Sequence, residues 1–251
     1  MIFTDGYITV LGIAGLTFLL AGLVKGLIGL GLPTVSVAVL SATVGLPMAL
    51  PLMVVPSVIT NLWQAMVGGS LVSLLWRFWP LLVASVVGVF AAYSLLFVAN
   101  AKAMTALLGV VLCLYSLAAV LSLALVPRVR RERLASPIIG LVTGVLAGAT
   151  GSMVMPVVAY LEMLKLSKNQ FVQMMGISFT VSTAAIGLAV AEHGHYKMDV
   201  LLASVVCLVP ALLGMQLGQA LRQRISEKFF RRCVHIGLLA IGLHLIWKGL
   251  S

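Results

Sequence analysis

The chain has 251 residues, of which 62% are hydrophobic and 9% charged, and its mean hydropathy is +1.18. A soluble domain is about a quarter charged, so a water-soluble globule and a solvated disordered coil are both excluded. The net charge of +10 forms no basic face interleaved with exposed aromatics, as nucleic-acid stacking requires. It reads as orientation signals in the loops of a multi-pass membrane protein, with the lipid bilayer as partner and no nucleic acid.

Apolar runs occupy about 7–30, 33–45, 47–67, 79–98 and 102–126, and after a basic hinge about 137–150, 153–164, 171–191, 199–220 and 229–249. The third to fifth runs of each half are long enough to cross a hydrocarbon core of about 30 Å. The second run of each half has 12 or 13 residues, only about 20 Å as a helix. Short segments bounded by Gly and Pro predict broken or re-entrant helices; if each short pair is re-entrant, the span count falls to eight or fewer. The expected fold is an all-α polytopic membrane protein of two inverted-topology repeats. Each repeat has about five hydrophobic segments and begins with a short or broken helix pair. Residues 1–127 form the first repeat, 128–136 a basic cytoplasmic hinge and 137–251 the second repeat.

With the hinge inside, the cytoplasmic loops hold Arg77, Arg128, Arg130, Arg131, Arg133, Lys165, Lys168, Arg222, Arg224, Lys228, Arg231 and Arg232. The other side holds Lys102, Lys197 and Lys248, beside Asp5, Glu192 and Asp199. Twelve against three is a strong positive-inside bias and places both termini outside. The first 20 residues lack the Lys or Arg of an n-region, so no cleavable signal peptide is expected. Trp63, Trp76, Trp79 and Trp247 fall near run ends, as an aromatic belt does. Cys113, Cys207 and Cys233 have no metal or redox spacing, so neither a metal nor another cofactor is expected.

Comparison of the halves supports the repeat. Gly22, Gly26 and Gly29 form GxxxGxxG; Gly144, Gly148 and Gly151 repeat it 122 residues later, and each set precedes a proline, Pro33 and Pro156. Ala84–Val87 recurs as Ala203–Val206 at an offset of 119. Close helix packing of the GxxxG kind is the plainer reading of such glycines. The order Gly, Gly, Gly, Pro before a short run in both halves favours interrupted helices. A helix broken inside the membrane exposes amides and a positive dipole end, which bind anions. The first break is Gly29–Pro33, with Gly31 inside it and Thr34 and Ser36 at the new helix start; the second is Thr150, Gly151 and Ser152.

These residues resemble a known family. The segments Gly22–Pro33 and Gly144–Pro156, with the tail Leu213–Ile225 and Phe230-Arg231-Arg232, resemble the TauE/SafE family of bacterial membrane proteins described as sulfite or organosulfonate exporters. The likeness covers nearly the whole chain. Where the family commonly has GxGG, this chain has Gly29-Leu30-Gly31-Leu32 and Gly148-Ala149-Thr150-Gly151-Ser152, so its second glycine turn is thinned.

Among single residues, Lys25 lies within a span about one turn before the break. It reads as the counter-charge of an anion or as a lysine snorkelling to an interface. Ser57, Thr60, Asn61 and Gln64 share one helix face, and Ser178, Ser182 and Thr183 form the mirror set; such stripes line a cavity or hold helices together. Gln173 reads as a site donor or an interface residue. Glu162 is the candidate coupling carboxylate, or a surface ion pair with Lys165. His193 and His195 read as loop residues, His235 and His244 as buried histidines.

The resemblance implies a secondary transporter that exports sulfite, organosulfonates or related sulfur or carboxylate anions across the inner membrane by alternating access. A passive anion channel is the alternative. An intramembrane enzyme would need Ser152 with His235 or His244, which nothing in the spacing supports, so no catalytic residue is expected. A homo-oligomer is compatible with the sequence.

Overall fold

The computed structural model describes residues 5–98, 101–121, 131–164, 166–194, 196–222, 224 and 226–251. Among them are ten helices and no strand: α1 (Asp5–Ile28), α2 (Leu32–Thr43), α3 (Leu46–Met66), α4 (Leu71–Val98), α5 (Ala101–Val120), α6 (Glu132–Thr150), α7 (Val157–Met163), α8 (Lys168–Glu192), α9 (Met198–Leu221) and α10 (Glu227–Leu250). Eight are long and apolar enough to cross a membrane. The exceptions are α2, of 12 residues, and α7, of 7, the two segments read as short from the sequence.

Three boundaries differ from the sequence reading. The run expected from residue 79 is a helix from Leu71, because Arg77 interrupts the apolar pattern without interrupting the helix. Arg77 therefore belongs to the second turn of α4, not to a loop, and its guanidinium grips Glu132 at the start of α6 through two hydrogen bonds of 2.6 and 2.8 Å. Residues 132–136, counted in the hinge, are the first turn of α6; Arg128 and Arg130 lie outside the described residues, as do Lys165 and His195. The run expected over 153–164 is helical only from Val157, with Pro156 at its N-cap, since proline lacks the amide to carry a helix through.

Glycines set the packing. On α1, a Cβ added at Gly22 would lie 2.1 Å from Ala211 O, and one at Gly26 would lie 2.2 Å from Met215 O. On α6, added Cβ atoms at Gly140, Gly144 and Gly148 would strike Leu81, Ser85 and Val89 in order. Contacts that advance together along both chains mean that α1 runs parallel to α9 and α4 parallel to α6. The pair α3 and α8 is antiparallel, since Gln173 bonds to Ala65 O while Gly187 faces Val54. So is the pair α5 and α10, with Gly249 against Lys102 and Gly242 against Gly109. The first two glycines of each GxxxGxxG set thus do what small residues do in membrane interfaces: they let backbones touch.

The equivalences run differently from one sequence match. Gly88 faces Leu141 O and Val145 N, while Gly214 faces Leu19 O and Leu23 N. Those partners are 122 apart and the two glycines are 126 apart. Ala84–Val87 and Ala203–Val206, matched at 119, are therefore not equivalent in packing, and their serines differ accordingly: Ser85 bonds to Ser182, and Ser204 to Leu52 O.

These directions create two faces. The hinge face carries the ends of α1, α3, α5 and α9 and the starts of α4, α6, α8 and α10. The opposite face carries the start of α1 and the end of α10. The antiparallel pair α3 and α8 is central, with most of both spans buried. Pro56 supplies no amide for Leu52 O, and Ser204 Oγ donates to that carbonyl instead, at 2.9 Å, tying α9 to α3. Lys248 Nζ donates to Ala42 O at 2.9 Å, so a cation closes the C-terminal end of α2 where the helix dipole favours one. Trp63, Trp76, Trp79 and Trp247 are all exposed.

Candidate functional site

Both glycine stretches are interruptions inside the bundle. α1 stops at Ile28, and α2 restarts at Leu32 with Pro33 in its first turn. The turn between them uses Gly29 at φ 85° and Gly31 at φ 105°, left-handed values that suit glycine alone. Val35 N–H is the first in α2 to bond back, to Gly31 O at 2.8 Å; the amides of Leu32 and Thr34 come before that bond, and no side chain caps them. In the second half, α6 ends on Gly151 at φ 74°. A Cβ there would fall 2.5 Å from Leu50 and 3.1 Å from Val37, so the second interruption leans on α2 and α3. The thinned glycine turn is closed by a hydroxyl: Thr150 Oγ1 donates to Leu146 O at 2.6 Å and accepts from Ser152 N at 3.2 Å.

Beside the first interruption, Lys25 is only 4% exposed. Its Nζ donates to Thr60 Oγ1 at 3.2 Å and to Asn61 Oδ1. Among the described residues no carboxylate lies within ion-pair distance of it. Thr60 Oγ1 in turn donates a hydrogen bond to Pro56 O at 2.8 Å. Asn61 Nδ2, Ser57 Oγ and Ser178 Oγ are buried with no hydrogen-bond partner among the described residues. A buried lysine with two acceptors for its three N–H groups, an amide donor and two hydroxyls without partners leave donors in excess of acceptors here.

Other candidates hold helices together. Gln64 Nε2 donates to Val172 O at 2.8 Å, and Gln173 Nε2 donates to Ala65 O at 2.8 Å while its Oε1 accepts from Ser70 N at 3.0 Å. These amides lace the end of α3 to the start of α8, where Ser167 and Gln170 form a reciprocal capping box. Ser182 Oγ meets Ser85 Oγ at 2.9 Å, joining α8 to α4, and Ser36 Oγ donates to Pro33 O at 3.1 Å. Ser152 is buried beside the second break. Glu162 stands exposed on α7.

A cavity of about 30 Å³ opens on the hinge side at the start of α2; Gly31, Thr34, Val154, Tyr115, Arg231 and His235 are among its lining residues. The space is on the scale of one or two waters, so this conformation is constricted. Val24 and Ile28 of α1 face it, whereas Lys25 turns toward α3. Residues from both interruptions, Thr34 and Val154, share one wall. Arg231 and His235 were not among the site residues read from the sequence. Their spacing of four on α10 puts both on one helix face, which is the signal that was there to be read.

Eight helices long and apolar enough to cross a membrane, two shorter helices and a buried cation bonded to the central α3 describe a multi-pass α-helical membrane protein. The family model for the sulfite exporter TauE/SafE matches residues 14–245, nearly the whole chain, and the protein belongs to that family of membrane transporters. No curated protein and no solved structure matches the chain.

Proposed function

We propose that the protein is a secondary transporter that carries small oxyanions, sulfite or organosulfonates, out of the bacterial cytoplasm by alternating access. The observation that carries this reading is Lys25, buried beside a broken helix with no carboxylate partner among the described residues. A charge buried within a membrane span is costly and is kept where function uses it. The missing acceptor is the transported anion. Asn61 Nδ2, Ser57 and Ser178 supply further donors, and Thr34, Thr150, Gly151 and Ser152 shape the two interruptions around it.

Helix directions support a pair of inverted repeats. α1 and α6, α3 and α8, α4 and α9, and α5 and α10 hold equivalent places in the packing and run in opposite senses. Rocking one such half against the other is the usual route to alternating access. The hinge face carries the excess of arginines and is the cytoplasmic one. With the cytoplasm electrically negative, a monoanion gains about 2.3 kcal/mol per 100 mV on leaving, so export proceeds without a coupled cation. The exposed Glu162 is not needed for it.

The test is counterflow. Purified protein in liposomes loaded with unlabelled sulfite should draw in labelled sulfite transiently against its own gradient, and the flux should saturate. Unsaturable flux without counterflow would mean a passive channel. No flux of sulfite, sulfonate or carboxylate would remove the anion reading altogether.

A further inference from the structure

Residues with donors that Lys25 does not account for line the cavity at the start of α2. Thr34 is 2% exposed and His235 6% exposed. Thr34 Oγ1 and His235 Nδ1 are both buried without a hydrogen-bond partner among the described residues, and both residues line the cavity. An unmade hydrogen bond at a buried polar atom costs about 1–3 kcal/mol, so two such atoms on residues that line one space call for a ligand. The uncapped start of α2, a helix of 12 residues, points the amides of Leu32 and Thr34 and its positive dipole end the same way. Arg231, exposed on the hinge side, brings a permanent cation with a planar pair of donors suited to an oxyanion. Tyr115 packs edge-on against His235 with ring centroids 5.0 Å apart, which fixes the imidazole plane.

We propose that this cavity is a second oxyanion site, on a different face of α1 from Lys25, formed by the α2 amides, the Thr34 hydroxyl, the His235 ring and the Arg231 guanidinium. It rests on the anion-transport reading and adds to it the place where a sulfite-sized oxyanion is taken up from the cytoplasmic side. His235 serves in the tautomer that carries its proton on Nδ1. The apolar walls, Val154 and Phe179, disfavour large hydrated anions and keep the donors out of water.

The experiment measures sulfite flux in liposomes from each side, for the wild type and for Thr34→Val, His235→Phe and Arg231→Gln, with Thr34→Ser as the conservative control. Loss of a hydrogen bond to a charged group predicts a KM raised about tenfold or more. That rise should appear only when sulfite is presented at the hinge face, with the maximal rate little changed and Thr34→Ser close to wild type. Arg231 is exposed, so Arg231→Gln tests the site even if the buried variants fold poorly. Wild-type values of KM from the hinge side in all three variants would overturn this inference while leaving the transporter reading intact. A KM raised equally from both sides would assign these residues to general stability and overturn it too. A wild-type protein that moves no anion at all would instead sink the reading on which it rests.

Discussion

At the scale of single residues, one motif does two jobs. Gly22, Gly26, Gly144 and Gly148 have no left-handed φ and sit where backbones touch; Gly29 and Gly151 have positive φ and end their helices. The packing reading and the interruption reading of GxxxGxxG are both right, each for different glycines. Gly144→Ala should therefore be costly, because its Cβ would lie 2.0 Å from Ser85 O and two helix backbones must part. Overpacking of this kind typically costs about 1–3 kcal/mol, so the melting temperature in detergent should fall by several degrees. Gly12, with nothing within 4 Å of an added Cβ, is the control: Gly12→Ala should be neutral or slightly stabilising through helix propensity. Equal melting temperatures for the two variants would contradict the tight α4–α6 contact. Lys25, Thr34 and Asn61 were legible as candidates because polar groups in an apolar run stand out. The bonding of Gln64 and Gln173 to backbone was not legible, since an amide at a helix end reads the same whether it faces a solute or a neighbouring carbonyl. Arg231 and His235 were missed because they stand in a basic helix start that looks like an ordinary cytoplasmic anchor.

At the scale of elements, the apolar runs located all ten helices, and the short second run of each half marked α2 and α7. Boundaries failed where one residue misrepresented its neighbours: Arg77 hid the first two turns of α4, and Pro156 halved the helix expected over 153–164. The match of Ala84–Val87 with Ala203–Val206 was a coincidence of small and β-branched residues, common in any span, whereas Gly88 and Gly214 occupy equivalent contacts because backbone approach tolerates no side chain there. Helix directions also make a prediction about sidedness. In a background with Cys113, Cys207 and Cys233 replaced, an impermeant maleimide should label Arg131→Cys only from the cytoplasm and Lys197→Cys only from outside. The reverse pattern would invert the bundle and turn the proposed exporter's hinge-side cavity outward.

At the scale of the whole molecule, the two halves of the chain pack together through four helix pairs, α1 with α9, α4 with α6, α5 with α10 and, at the centre, α3 with α8. Ser57, Asn61 and Ser178, buried without partners among the described residues, lie on that central pair. The asymmetry is as informative as the symmetry. The first half ends its break in a 12-residue helix with an uncapped start, while the second ends in an extended stretch and a helix of 7 residues. Lys25 has Ala147 as its counterpart at the 122 offset, so a single cation faces the central pair. That lopsidedness explains why the sequence singles out Lys25 but not the arrangement around it: charge is written in one residue, but a cavity is written in contacts between helices far apart in the chain.

The decisive comparison is Lys25→Met against wild type, with melting temperature read in the presence and absence of sulfite. A buried cation without a carboxylate is a cost to the fold, so Lys25→Met should melt at the same temperature as the free wild type or higher. Saturating sulfite, at about 100 times its dissociation constant, should stabilise the wild type by about 2.7 kcal/mol and leave Lys25→Met unmoved, with sulfite flux down at least about tenfold. A variant that melts several degrees lower yet keeps its sulfite response and its flux would make Lys25 a strut between α1 and α3, and would contradict the assignment of the anion to this buried charge.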